Sequence, residues 1–176
     1  KVYNSLAIVD NNLNVLNYYQ KNNLVPFGEF LPMENFLSKI GLKTITNNYQ
    51  SFSKGKERKV ISIKNQNFDL SFLPLICYEI IYSGKLKKTN NFDFIINISE
   101  DGWFGNSIGP NQHFAHSIFR AVEEGKNIIR STNNGISAFI GPKGNIIYKI
   151  ESTQGGVLEI RNLKKNKDTF FSKNGN

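Results

Sequence analysis

Cys77, the only cysteine of the chain, stands where an apolar run stops. The segment Phe72-Leu-Pro-Leu-Ile-Cys77-Tyr-Glu79 reads as a buried strand that delivers a thiol and then a carboxylate to a turn. Upstream lies Lys21, followed by Glu29 inside Leu24-Val-Pro-Phe-Gly-Glu-Phe-Leu-Pro32. A thiol, a cation and carboxylates are the groups acyl transfer needs: a nucleophile, a charge for the oxyanion and a carrier for the proton. A strand-to-helix turn at Cys77 exposes the side chain and aims the following backbone N–H groups at whatever the sulfur attacks.

Each of these residues also has a plain structural reading. A lone cysteine is commonly a small buried hydrophobe, a lone lysine a solvated cation, and Glu29 or Glu79 one half of a salt bridge. His113 and His116, spaced i, i+3, form half of a metal site, but no third ligand completes it, so no metal is expected. Trp103 and Phe104 read equally as core aromatics or as the lip of a lipid- or substrate-binding cleft. No Gly-x-Ser-x-Gly elbow, phosphate loop or Gly-x-Gly-x-x-Gly fingerprint appears, so serine hydrolysis and nucleotide cofactors have no support.

The elements that must position these groups follow from apolar periodicity. Residues 5–9 and 15–19 are short strands around the turn-forming Asp10-Asn-Asn-Leu-Asn and read as a hairpin. A Pro- and Gly-punctuated loop over 24–32 precedes a short helix over 34–40 and an irregular polar stretch over 43–57. Strand 59–64 pairs across Asn65-Gln-Asn67 with strand 68–76, and a helix is expected after Cys77 to about Leu86. Residues 93–98 are a buried strand and 99–111 a long Gly-rich loop. An amphipathic helix over 112–126, with Phe114, Ala115, Ile118, Ala121 and Val122 on its apolar face, stops at Gly125. Strands follow over 127–132, 136–140, 145–150 and 156–160. This alternation predicts an α/β layered fold.

At 176 residues and 39% hydrophobic, with 14 Phe and 7 Tyr, the chain can bury a sizeable core. No apolar stretch approaches the roughly 20 residues of a membrane-spanning helix, and no charged-then-apolar leader is present. The net charge of +8 is mostly lysine, without interleaved aromatics or an arginine stripe around Lys85-Leu-Lys-Lys88 or Lys164-Lys-Asn-Lys167. No nucleic-acid partner is therefore expected, and anionic lipid headgroups suit the charge better. A single cysteine excludes an internal disulfide.

Taken together these segments resemble the carbon–nitrogen hydrolase (nitrilase-like) superfamily, whose members use a Glu-Lys-Cys triad. More narrowly they look like the apolipoprotein N-acyltransferase family of bacterial inner membranes. The stretches that carry the likeness are Tyr19 through Pro32, Ile76-Cys-Tyr-Glu79, Asn97 through Phe114, Arg120-Ala121 and Arg130-Ser-Thr-Asn-Asn-Gly-Ile136. The Leu-Val-Pro-Phe-Gly-Glu and Asp-Gly-Trp-Phe-Gly segments are far more specific than the cysteine alone. The resemblance implies an αββα sandwich missing its N-terminal strand-helix-strand, with a partial carbon–nitrogen hydrolase domain over 1–161. Residues 162–176 would be a polar C-terminal segment leading to an absent membrane helix.

It also implies Cys77 as nucleophile and Lys21 as the catalytic lysine. Glu29, Tyr78 and Glu79 take supporting positions, and Trp103 and Phe104 lie at the entrance of a substrate site. No cofactor is implied. The partners would be a phospholipid acyl donor and a diacylglyceryl-cysteine lipoprotein acceptor, met at the periplasmic face of the inner membrane. The family's general-base glutamate is expected upstream of Lys1, so the 176 residues alone are expected to be inactive. A nitrilase-like amidase acting on a small amide or nitrile, or a non-catalytic remnant of the fold, are the competing expectations.

Overall fold

The computed structural model of the chain describes residues 1–37, 39, 41, 51–64, 69–84, 86, 92–161 and 163–175. These fall into two compact units, Lys1–Arg58 and Lys59–Asn176.

In the first unit β1 (Ser5–Val9) pairs antiparallel with β2 (Val15–Gln20), as the hairpin pattern predicts. The Asp10 carboxylate closes the turn by accepting the backbone N–H groups of Asn12 and Asn14, each at 2.8 Å. That local bonding is why Asp and Asn favour such turns. The loop after β2 leads to a single helical turn, α1 (Glu34–Leu37). The helix expected over 34–40 is thus four residues long as far as it is described, and 38, 40 and most of the 43–57 stretch lie outside the described residues.

The second unit is built on a six-stranded mixed sheet in the order β3 (Ile61–Lys64), β4 (Asp69–Ile76), β5 (Phe94–Glu100), β6 (Asn127–Asn133), β7 (Ser137–Ile140) and β8 (Ile146–Ile150). β4, β5 and β6 run parallel, and the outer strands pair antiparallel. The β3–β4 hairpin matches expectation, while its Asn65-Gln-Asn67 turn and Phe68 lie outside the described residues. So do Lys85, Lys87 and Lys88.

One sheet face carries Leu73, Leu75, Ile95, Ile128, Ala138 and Ile140, packed with Ile80, Phe114 and Ala121. Burying each large aliphatic or aromatic side chain in such a cluster contributes about 1.5–3 kcal/mol. Phe114 and Ala121 come from α2 (Gly109–Glu124), whose start is marked by Pro110 in its first turn and whose end is marked by Gly125. Gly125 takes the left-handed conformation, φ 64°, that a helix terminus of this kind needs.

Four expectations are corrected. The chain after Cys77 makes a tight 3-10 turn, Cys77–Ile81, rather than a helix to Leu86, because Tyr82 is extended at φ −75°, ψ 109°. α2 begins at Gly109, so the loop before it is shorter than 99–111, and β5 itself runs on to Glu100. Residues 156–160 form no strand: they have no ladder partner, and Val157 is 93% exposed. Val122, expected on the apolar face of the helix, is exposed.

The C-terminal segment packs back on the rest of the second unit. Lys126 Nζ pairs with Asp168 at 2.7 Å and donates to the Asn166 carbonyl at 2.7 Å. The Asn127 amide donates to the Lys164 carbonyl at 3.0 Å, and α3 (Phe170–Asn174) is capped by Thr169, whose hydroxyl accepts the Ser172 N–H at 2.9 Å. Among the described residues no helix is long and apolar enough to cross a membrane.

Candidate active site

Lys21 is the first residue after β2, where its N–H donates to the Asn4 carbonyl and its own carbonyl accepts the Gly55 N–H, both at 2.8 Å. The first bond extends the hairpin by one residue, and the two together fix the lysine backbone. Its side chain is buried, and Nζ lies 2.8 Å from Glu29 Oε2. Glu29 is held in turn: Oε2 accepts the Val25 N–H at 2.8 Å and Oε1 accepts the Asn4 amide at 2.7 Å. The loop from Lys21 to Glu29 therefore closes on itself around one carboxylate, and the two residues singled out in the sequence are an ion pair.

Cys77 sits at the carboxyl end of β4 and opens the 3-10 turn. Its φ is 49°, the left-handed region that costs a residue with a β-carbon about 1–2 kcal/mol. Such backbone persists only where its surroundings over-determine it. On one side the buried Glu79 carboxylate accepts the Ile76 N–H at 2.9 Å, tying the turn back to the strand. On the other, His113 Nε2 lies 3.3 Å from the Cys77 carbonyl oxygen. Cys77 is partly exposed, and Tyr78, its neighbour, packs edge-on against Tyr82 at 5.5 Å between ring centroids.

Behind this turn lies a cluster of buried polar side chains. Parallel register places Leu75, Asn97 and Arg130 level with one another on β4, β5 and β6. The Asn97 amide donates to the Leu75 carbonyl at 3.1 Å, and Asn97 Oδ1 accepts from Arg130 Nη1. Arg130 also donates from Nη2 to Asp101 Oδ2 at 2.7 Å and from Nε to the Ile136 carbonyl at 3.2 Å. The second Asp101 oxygen accepts the Ser99 hydroxyl at 2.7 Å and faces His113 Nδ1 at 2.9 Å. Gly135 lies so close that a β-carbon there would stand 2.3 Å from Asp101 Oδ2, so only glycine fits.

Burial alone would push the Asp101 carboxyl up. The His113 hydrogen bond, the Arg130 charge and the Ser99 hydroxyl outweigh it and hold Asp101 below the usual aspartate range. Burial draws the Arg130 guanidinium below its ordinary value, opposed by the charge and hydrogen bond of Asp101 and by the nearby Cys77. Arginine stays cationic throughout, so the cluster brings a positive group within electrostatic reach of the thiol.

The aromatic pair stands on the tight turn Gly102–Phe104 after β5. Trp103 is 57% exposed, so it is not a core residue, and Phe104 is 38% exposed with its ring against Gly109 and 5.5 Å from that of His113. His113 is turned inward to Asp101. Among the described residues no group of three or more His, Cys, Asp or Glu gathers to hold a metal ion. The spacing of Asp101, His113 and Arg130 carries no signal of their meeting. Only their presence in the segments that carried the family resemblance marked them out.

The family profile described as carbon-nitrogen hydrolase matches residues 1–161. A protein of Rhodopseudomonas palustris named apolipoprotein N-acyltransferase is 39% identical over 160 residues, covering 90% of this chain and 29% of that protein. Proteins of the same name from Brucella suis and Rickettsia prowazekii are 36% and 38% identical, covering 98% and 100% of this chain and 32% and 35% of theirs. The chain spans about a third of the length of the curated relatives it matches.

Among solved structures, a carbon–nitrogen hydrolase from Helicobacter pylori superposes with a TM-score of 0.59 at 13% identity, over 85% of this chain and 53% of that one. An amidase of the nitrilase superfamily from Nesterenkonia gives 0.55 at 16% identity, over 84% and 51%. The α/β fold is nitrilase-like.

Proposed function

The chain belongs to the carbon–nitrogen hydrolase family, and from that membership we propose that it carries the acyl-transfer chemistry of bacterial lipoprotein maturation. One observation carries the reaction class. The only thiol of the chain is held in a left-handed turn at the carboxyl end of a buried parallel strand, with the buried Arg130 within electrostatic reach. The substrates follow the relatives, which share the name apolipoprotein N-acyltransferase across nearly all of this chain.

In this reading the Cys77 thiolate attacks an ester carbonyl of a phospholipid. The tetrahedral intermediate collapses to a thioester and releases a lysophospholipid, which takes up a proton. The α-amine of a diacylglyceryl-cysteine at a lipoprotein N-terminus then attacks the thioester. An amide forms, the C–S bond breaks, and the amine proton returns the sulfur to a thiol. Lys21 is assigned the charge that stabilises the oxyanion, oriented by its pairing with Glu29. Tyr78 and Glu79 support the turn, and the exposed Trp103 and Phe104 are assigned to acyl-chain contact.

Glu29 is engaged by Lys21, Asn4 and Val25, and Glu79 by Ile76, so neither is assigned the proton transfers. That role is assigned to a carboxylate outside these 176 residues, and the chain by itself is proposed to be inactive. The domain would act at the periplasmic face of the inner membrane.

The test is intact-mass spectrometry after incubation with phospholipid, applied to the full-length protein that carries this chain and to its Cys77→Ala variant. The expected adduct is one acyl group, removed by hydroxylamine, discharged by a diacylglyceryl-cysteine peptide and absent from the variant. A folded protein that gains no adduct defeats the proposal, and an adduct on the 176 residues alone defeats the assignment of the base.

A further inference from the structure

We propose that His113 is a positioning residue for Cys77: its Nε2–H, steadied by Asp101 and Arg130, holds the Cys77 carbonyl and so keeps the cysteine in its left-handed turn. The inference rests on reading Cys77 as the nucleophile. His113 is buried on the second turn of α2 and has three polar contacts. Nδ1 faces Asp101 Oδ1 at 2.9 Å, Nε2 faces the Cys77 carbonyl at 3.3 Å, and Arg130 Nη2 lies 3.3 Å from Nδ1.

A carbonyl oxygen can only accept, so the contact with Cys77 exists only while Nε2 carries a hydrogen. Asp101, held below the usual aspartate range, likewise offers only acceptor oxygens, one to Nδ1 and one to Arg130. A hydrogen on Nδ1 alone would turn the Nε2 lone pair toward the Cys77 oxygen.

The Phe104–His113 ring contact and the Arg130–Asp101 pair leave the imidazole little freedom. Cys77 has a positive φ without being glycine, and its carbonyl is the point where this network reaches the turn. Releasing that carbonyl lets the turn relax toward ordinary backbone and moves the sulfur away from where the turn presents it.

Because Cys77 is the only cysteine, the rate of its alkylation by iodoacetamide reads the position and reactivity of this one thiol. His113→Gln keeps a donor near Nε2, His113→Asn keeps one near Nδ1 only, and His113→Leu keeps neither. Alkylation of the Asn and Leu variants is expected to slow about tenfold, as for loss of one buried hydrogen bond, and the Gln variant to stay within about threefold of the parent. Thermal melting of each variant reads folding separately. A folded Asn or Leu variant that alkylates at the parent rate overturns the proposal.

A second measurement needs no change at His113. The chain has two histidines, so nitrogen-15 spectra of their rings, assigned with His116→Gln, report the Nε2 of His113 directly. A protonated Nε2 at neutral pH is expected, and an unprotonated one overturns the proposal. Neither readout uses an acyl substrate. If the alkylation pattern holds but no acyl adduct forms, the acyltransferase reading fails alone; if an adduct forms and the pattern does not hold, this inference fails alone.

Discussion

Lys21 and Glu29 lie on one short loop, and the other partners of that carboxylate are neutral donors, the Val25 N–H of the same loop and the Asn4 amide just before β1. Asp101, His113 and Arg130 come instead from the end of β5, from α2 and from β6, and they reach Asn97, Ser99 and the carbonyls of Leu75 and Cys77. Both groups bury charge, but they are constructed differently. The first is a loop wrapped around an ion pair, with neutral donors that remain if the cation is removed. The second is a network in which each member completes the hydrogen bonding of another, and such networks fail as units.

Arg130→Met tests that distinction with the largest expected effect. It leaves the Asp101 carboxylate without its cation and Asn97 without its donor, and removing one partner of a buried pair costs about 3–5 kcal/mol. We expect the upper end of that range in urea unfolding. Lys21→Met should cost less, about 2–3 kcal/mol, because Glu29 keeps the Val25 and Asn4 hydrogen bonds. Equal losses in the two variants would erase the contrast between local pair and network.

The dependence of stability on pH sharpens the contrast further. Asp101 is held below its ordinary range, so its contribution is present above the unfolded aspartate pKa and is lost as pH falls through the folded one. Arg130→Met should flatten that acid limb, and Lys21→Met should leave it in place.

Glu124, at the end of α2, works in the opposite direction. Burial first, and Glu123 second, push its carboxyl from 4.5 up to about 7. Between those values the unfolded chain has released the proton and the folded chain retains it, so stability falls as pH rises, by at most about 3 kcal/mol. Glu124→Gln should remove the fall between pH 4.5 and 7 and leave the acid limb unchanged. A variant that still loses stability over that interval would show that another group is responsible.

The same contrast explains what could be read from the amino-acid order. The β1–β2 hairpin, the β3–β4 pairing, the α2 stop at Gly125 and the strands around it are written in short-range periodicity and turn chemistry, and all were legible. So was the loop that holds Lys21 beside Glu29, as an unusual Pro- and Gly-rich segment, although not the ion pair itself. The Asp101 cluster was not, because its members are joined only when three parallel strands fall into register, and register is absent from local pattern. His113 illustrates this. Its i, i+3 relation to His116 resembles only an incomplete metal site, and nothing in that spacing points to its partner, a carboxylate on another element.

The helix expected after Cys77 is only a tight turn, since Ile80, Ile81, Tyr82 and Gly84 are weak helix formers and the fold extends the chain at Tyr82. The strand expected over 156–160 has a suitable sequence but pairs with neither edge of the sheet, β3 or β8. The earlier start of α2 did carry a signal, Pro110, which suits the first helical turn and was read as part of a loop.

The level row of Leu75, Asn97 and Arg130 also has a consequence for the order of events in folding. Its links join residues separated by 22 and 33 positions, whereas the β1–β2 hairpin closes across a short turn. Contacts of greater sequence separation form later, because the chain entropy of closing them is lost before any bond compensates. Until β5 and β6 dock beside β4, neither His113 nor Arg130 is in place behind the cysteine, and the Cys77 backbone is free to take an ordinary conformation. The left-handed turn is therefore a late product of folding, and a chain arrested before the three strands align carries Cys77 as an unexceptional thiol.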